Sequence, residues 1–285
     1  MKCLITGGSG QLGFDVYREL INRGVPYYDI YKPTHEQFDI TNWLNVLNDT
    51  LSFEPDVIFH CAAYTGVDKA ENETEAAICK AVNEYGTQNI TDAARRVGAK
   101  LIYLSTDYVF DGTKDGKYEI DDETHPLNYY GLTKRNGENI VKTYDKSFIF
   151  RISWVFGENG KNFIKTMLKL AETKDEVSVV NDQIGSPTYT EDLAKLLVDA
   201  ANTDCYGVYH ATNEGFMSWA DVASKTFEVA GLDTVVNPIL TSEYKRAATV
   251  PLNSRLSKSS LDAAGFKRLP DANDAIERYV KILTR

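Results

Sequence analysis

The chain has 285 residues, 43% of them hydrophobic and 25% charged, with a formal net charge of −10. That length and apolar content supply a large buried core, and the mixed composition without low-complexity tracts fits a globular protein. No basic patch offsets the acidic balance, which excludes nucleic acid as the expected partner, and no apolar run approaches the roughly 18 residues that span a bilayer.

Residues 2–6 read as a buried strand that runs straight into glycines. Its apolar stretch is too short for a secretory signal. The four cysteines, Cys3, Cys61, Cys79 and Cys205, show no CxxC spacing, so free thiols and a cytoplasmic location are expected. A helix follows over 11–22, stopped by Gly24, and then a second strand over 27–31, against the local preferences of Pro26 and Asp29. Thr41 or Asn42 caps a helix reaching about residue 51. A third strand at 56–61, a long helix over 73–97 stopped by Gly98, a fourth strand at 101–105, a helix over 129–144 and a fifth strand at 148–154 complete the first half. This alternation predicts a Rossmann-type, doubly wound α/β fold with a mainly parallel sheet covered on both faces.

Beyond Trp154 the texture changes to helices at 161–173, 191–201, 219–230 and 272–283, with short strands at 177–180 and 206–210. No Gly/Ser/Pro linker separates the halves. The expected organisation is a dinucleotide-binding domain over 1–155. A smaller, mainly substrate-binding α/β part follows over 156–285, with some segments packing back on the first.

The segment Gly7-Gly8-Ser9-Gly10-Gln11-Leu12-Gly13 lies between the first strand and the first helix. In that setting Gly7 allows a tight turn, Gly10 lets backbone approach a pyrophosphate and Gly13 lets the helix pack closely on the sheet. The free N–H groups of the helix terminus then face the phosphates. An acidic residue some 20 positions on would hold the ribose of NAD, and Asp29 is the candidate; Lys32 could instead meet the 2′-phosphate of NADP. NADPH and NADH both remain open. Asp39-Ile40 would flank the adenine, or Asp39 simply starts the next helix.

Tyr130 and Lys134 are spaced i, i+4 and share one face of the helix after the fourth strand. A neighbouring ammonium favours phenolate, bringing the phenol's proton exchange towards neutral pH. Thr106 ends the fourth strand, where this fold binds ligands, and can hydrogen-bond the oxygen that Tyr130 protonates.

The runs TGGSGQLG, CAAYTGVDKAE, LSTDYVFDG, PLNYYGLTK, RISWVFG and VVNDQIGSPTY occur in that order, and Asn253-Ser254-Arg255-Leu256 follows later. With them the chain resembles the dTDP-4-dehydrorhamnose reductases, extended short-chain dehydrogenase/reductases. The resemblance implies that Gly10, Gln11 and Leu12 contact the cofactor pyrophosphate and that Ala62, Ala63, Tyr64 and Thr65 line its nicotinamide side. It implies that Val67, Asp68, Thr106 and Asp107 bind the sugar, and that Trp154 packs against sugar or nucleotide. Lys134 would hold the nicotinamide ribose and tune Tyr130. The implied reaction is NAD(P)H-dependent reduction of a nucleotide-linked 4-keto sugar. An epimerase or dehydratase of the same superfamily and a non-catalytic regulatory subunit are the alternatives; the intact Thr106, Tyr130 and Lys134 argue for an enzyme.

One departure concerns the diphosphate. Members carry an Arg-Pro pair where this chain has Val250-Pro251, leaving Arg255, Arg246 or Lys245 to serve. A second concerns assembly. Glu191 resembles a position that bridges a metal in some members, but the C-terminal helix offers Tyr279-Val280-Lys281-Ile282 where the second acid would stand. No metal is expected, and the chain is read as a monomer or weak homodimer. His60, inside an apolar strand, is read as a satisfied buried histidine, and Trp43 and Trp219 as packing residues.

Overall fold

The computed structural model describes residues 1–285. Six strands run through its centre: β1 (Cys3–Thr6), β2 (Ile30–Tyr31), β3 (Val57–His60), β4 (Lys100–Thr106), β5 (Ser147–Ile152) and β6 (Gly207–His210). They form one all-parallel sheet in the order β6-β5-β4-β3-β1-β2. The helices are α1 (Gln11–Asn22), α2 (Trp43–Phe53), α3 (Glu73–Lys80), α4 (Thr87–Val97), α5 (Tyr129–Val141), α6 (Phe163–Ala171), α7 (Thr190–Ala201), α8 (Trp219–Ala230), α9 (Ser259–Ala263) and α10 (Ala272–Leu283).

The inner strands are apolar along their length because both sheet faces are covered. Strand alternation divides them between two cores. Cys3, Ile5, Val57, Phe59, Ile102, Leu104, Phe148 and Phe150 meet Leu12, Val16 and Leu20 of α1 and Leu193 and Leu197 of α7. Leu4, Ile58, Leu101, Tyr103 and Ile149 meet Val46 of α2, Ile90 and Ala93 of α4 and Val141 of α5. Each fully buried Leu, Ile or Phe contributes about 1.5–3 kcal/mol through loss of apolar contact with water. From β1 the chain crosses to β2 on one side and to β3 on the other. This reversal opens a crevice at the carboxyl ends of β1 and β3, where such sheets bind ligands.

Asparagines set several helix starts. The side chains of Asn42, Asn72, Asn128 and Asn162 each accept a backbone N–H of the first turn of α2, α3, α5 and α6. Ser218 and Asp221 form a reciprocal capping box at the start of α8.

The later half interleaves with the first. Helix α7 packs on α1, β6 extends the sheet beyond β5, and Leu261, Phe266 and Leu269 enter the first core. A further core gathers Phe156, Ile164, Tyr189, Met217, Ile276 and Tyr279 beneath α6, α8 and α10. Strand Val235–Ile239, which the sequence does not announce, pairs in parallel with Glu176–Val180.

Three local details differ from the sequence reading. The second strand shrinks to Ile30–Tyr31, because Pro26 (φ −59°) leads into a 3₁₀ turn over Tyr27–Asp29. The long helix is interrupted by a π-helical segment, Ala81–Gly86, between α3 and α4. The fifth strand stops at Ile152, and Trp154 turns into the left-handed region at φ +50°.

Candidate active site

The cradle at the crevice is built by what glycine leaves out. Gly7 has φ +66°, and a Cβ there would lie 2.7 Å from the Ala62 nitrogen. One on Gly13 would crowd Gly8 Cα at 2.8 Å, which explains the close approach of α1 to its own loop. Gly10 caps α1 without a side chain, so the first N–H groups of the helix stay open and carry the positive end of its dipole. A dinucleotide pyrophosphate fits this cradle.

Two cavities meet at Gly10, Cys61 and Ala63. The one of about 360 Å³ is walled by Gly7, Asp39, Ile40, Ala62, Tyr64 and His35, with room for an adenosine. The other, of about 520 Å³, is walled on the cradle side by Gln11, Leu12 and Thr65 and on the far side by Thr106, Asp107, Tyr130, Lys134, Val67 and Trp154. The candidate cofactor residues therefore follow one channel into the cavity that holds Tyr130.

Thr106 ends β4, and its hydroxyl accepts the Tyr108 N–H (3.2 Å) and donates to Asp107 Oδ1 (3.0 Å). Burial pushes the Tyr130 phenol above its ordinary pKa; the charge of Asp107 adds to this, and hydrogen bonding to Thr106 opposes it. Lys134, expected to lower it, is not among the main influences on the phenol. Lys134 Nζ stands 4.1 Å from the centre of the buried Tyr103 ring. Burial brings this lysine down to about 7, partly offset by the carboxylate of Glu138. Glu138, fully buried, is itself held by Arg151 (2.8 Å from each of two nitrogens) and by the Ser105 hydroxyl (2.6 Å).

Burial raises Asp107 to about 6 against hydrogen bonds from Ser254 and Thr106. Its Oδ2 has no partner, which leaves a buried acceptor open to a ligand hydroxyl. Ser254, in the short strand Asn253–Ser254, is near enough to act on this carboxyl. Arg255 comes next in the chain and does not line the cavity. Strand alternation turns its side chain away from that of Ser254, and its carbonyl accepts the Tyr118 N–H instead. Asp68 also stands outside the cavity wall, bound through both carboxylate oxygens to Arg246 (3.1 Å each) and to the Ala248 N–H (3.0 Å).

Two residues escaped the sequence reading. Asn83, in the π-helical segment and buried, accepts the Tyr64 N–H (2.9 Å). It donates to the Tyr64 carbonyl (3.1 Å) and to the Thr133 hydroxyl (3.1 Å). It ties the loop after β3 to the helix of Tyr130 and Lys134. Trp219, expected only to pack, lines the larger cavity and stacks on Trp154 with ring centres 3.9 Å apart and planes 14° from parallel. Its indole N–H donates to Gln183 (3.1 Å).

Asp29 lies at the amino end of β2, near enough to Cys3 to act on its thiol, and so at the end of the sheet remote from the cradle. Asp39 faces the adenosine cavity, while its Oδ1 accepts the Thr41 N–H (2.9 Å) and hydroxyl (2.8 Å). His60 is buried between the Thr6 (2.8 Å) and Thr87 (3.2 Å) hydroxyls, and burial lowers it to about 3. Glu191 bonds Lys195 (2.8 Å) and Tyr189 (3.0 Å), and no group of three or more His, Cys, Asp or Glu side chains is placed to hold a metal.

The chain is similar to a dTDP-4-dehydrorhamnose reductase of Aggregatibacter actinomycetemcomitans, 42% identical over 276 residues that cover 92% of each protein. Among solved structures it resembles a dTDP-4-dehydrorhamnose reductase of Clostridium acetobutylicum, with TM-score 0.96, 37% identity and both chains covered in full. It also resembles that of Bacillus anthracis in complex with NADP, with TM-score 0.94, 40% identity, and 99% and 100% of the two chains covered. The profile of the RmlD substrate binding domain family matches residues 1–285. With the whole length accounted for and the cradle, channel and tyrosine cavity in one continuous crevice, this chain is a member of the RmlD substrate binding domain family.

Proposed function

We propose that the chain reduces the C4 carbonyl of dTDP-4-dehydro-L-rhamnose to the alcohol, giving dTDP-L-rhamnose, with NADPH or NADH as reductant. The observation that carries this reading is the buried phenol of Tyr130, kept protonated beside Thr106 in the cavity that opens onto the glycine cradle. The reductase names of the similar proteins, and the NADP bound by one of them, support it.

When bound, the nicotinamide supplies the hydride that reduces the carbonyl carbon. The remaining work falls to side chains. The N–H groups of Gln11 and Leu12 hold the pyrophosphate at the start of α1. Lys134 serves the nicotinamide ribose. Asp107 accepts a sugar hydroxyl on its open Oδ2, while Val67 and Trp154 exclude water from the sugar faces. Tyr130 donates its proton to the carbonyl oxygen as negative charge develops there, and Thr106 steadies that oxygen. A phenol with a raised pKa holds its proton at neutral pH, as a donor in the reductive direction must. Hydride and proton together complete the conversion of C=O to CH–OH.

The four cysteines are unpaired, as thiols are in a reducing compartment. The cytoplasm is therefore the proposed location, with the chain acting as a monomer or weak homodimer. No helix is long and apolar enough to cross a membrane. The test couples the purified chain to a supply of the 4-keto sugar and follows loss of reduced nicotinamide. Stoichiometric oxidation with formation of dTDP-rhamnose is expected. A redox-neutral conversion on a retained cofactor would instead establish an epimerase or dehydratase.

A further inference from the structure

A charged group next to the tyrosine helix has no role in the reading above. Arg151 of β5 and Glu138 of α5 are both buried and form an ion pair. Four of the five guanidinium N–H groups are engaged. Nε and Nη2 hold the two Glu138 oxygens, and Nη1 donates to the Ile120 carbonyl (3.0 Å) and to His210 Nε2 (3.3 Å). A guanidinium only donates, so His210 carries its proton on Nδ1 and gives it to the Ser257 carbonyl (3.1 Å). Glu138 Oε1 also accepts the hydroxyl of Ser105, the neighbour of Thr106 on β4. An ion pair buried in this way adds little net stability, since apolar residues in its place often do as well. Its position is informative instead, because Glu138 stands one helical turn beyond Lys134 on α5.

The other titratable groups around Lys134 are uncharged at neutral pH. Burial keeps the Tyr103 and Tyr130 phenols and the Cys61 and Cys79 thiols protonated, and it holds His60 neutral. Glu84, on the π-helical segment, acts on Cys79 and Tyr103 and is bound by Asn136 (2.9 Å). Burial alone would raise Glu138, but Arg151, Ser105 and Lys142 hold its carboxyl below the ordinary value, so it stays ionised. Glu138 is thus the chief opponent of the burial that would strip Lys134 of its proton.

We propose that Glu138, fixed by Arg151 and Ser105, is a positioning residue that keeps Lys134 charged for its work in the cavity. The same contacts fix the end of β4 that carries Thr106, so one buried carboxylate serves two sides of the site. Through His210 and Ile120 the pair is also tied to β6 and to the loop before α5. This assignment rests on the role given to Lys134 above, but not on the identity of the sugar.

The NMR resonance of the Lys134 Cε carbon in the full chain, assigned by its loss in Lys134→Met, follows the charge without turnover. Glu138→Gln should lower its titration midpoint by about 1 pH unit or more. That change leaves Arg151 buried without its partner and can impair folding, so the double variant Glu138→Gln, Arg151→Met is measured beside it. The double variant removes both charges, keeps the bulk, and should show a fall of the same sign. Glu138→Asp keeps the charge and should hold most of the parent midpoint. Binding of reduced nicotinamide should weaken earlier in the lowered variants than in the parent as the pH is raised. A midpoint unchanged in the double variant overturns the assignment, and so does a fall in Glu138→Asp as large as that in Glu138→Gln. A lowered midpoint that leaves cofactor binding unmoved overturns it as well. If midpoint and binding shift together and no 4-keto sugar is reduced, the reductase reading fails and this one stands.

Discussion

The hydroxyl of Thr106 gives its hydrogen to Asp107 Oδ1 at 3.0 Å in the cavity that also holds the Tyr130 phenol. Tyr130 is the proposed proton donor of that cavity. Tyr130→Phe removes that proton and leaves the ring, and we expect kcat to fall at least about 100-fold. Binding of reduced nicotinamide, followed by its fluorescence, should hardly change. A variant that turns over at the original rate would remove tyrosine from the mechanism.

Asp107 gives a pH signature. Its folded-state pKa of about 6 lies above the ordinary carboxylate value of 3.8, so the native chain binds this proton more tightly than the unfolded chain. The associated stability is complete below about pH 4 and is lost as the pH rises through about 6. Asp107→Asn carries no charge at any pH. Its free energy of unfolding should gain on the parent between those values and then hold a constant lead, on the order of 3 kcal/mol, while sugar binding weakens. A lead that does not grow across this window would mean that Asp107 ionises as an exposed acid does.

Lys134 has the opposite sign. Its pKa falls from 10.5 to about 7 on folding, so the stability linked to it is present above about pH 10 and lost as the pH falls to about 7. Lys134→Met should therefore be more stable than the parent at and below neutrality, and the advantage should fade in alkali. Turnover and cofactor affinity should both drop. Unfolding scans over that range, with cofactor titrations, check both halves; unaltered cofactor affinity would count against a ribose role.

The stacked indoles put Trp219 on the wall of the larger cavity, the proposed sugar side. Trp219→Ala strips Trp154 of its 3.9 Å partner, and the KM for the nucleotide sugar should rise about 10-fold with cofactor affinity unchanged. Two of the three tryptophans wall the cavity, so sugar nucleotide should also perturb the intrinsic fluorescence, and the variant should blunt that response. A KM equal to that of the parent would return Trp219 to the core.

Much of the site was legible because its parts are close in sequence. The glycine loop is contiguous, and Tyr130 and Lys134 are one helical turn apart, so local geometry alone placed them. The bounds of α8 and α10 were equally plain, since Ser218 and Asp271 cap their starts and Gly231 closes α8 in the left-handed region. What the sequence hid depends on tertiary setting. Trp219 sits at a helical position that reads as packing until Trp154, which adopts φ +50°, swings over it. Asn83 looks like an ordinary helix residue, because a π turn carries no composition of its own. Arg255, offered by the sequence as an anchor for the diphosphate, lies outside the wall of the larger cavity, which the sequence could not show.

The sixth strand has a consequence for how such a chain can evolve. Because Gly207–His210 completes the sheet begun at Cys3, the later half of the chain is sewn into the earlier half. Neither can be exchanged as a cassette without leaving Phe148 and Phe150 beside an open edge. New specificity must arise by changing loops and single side chains in place, on a frame whose two ends stay rigidly joined.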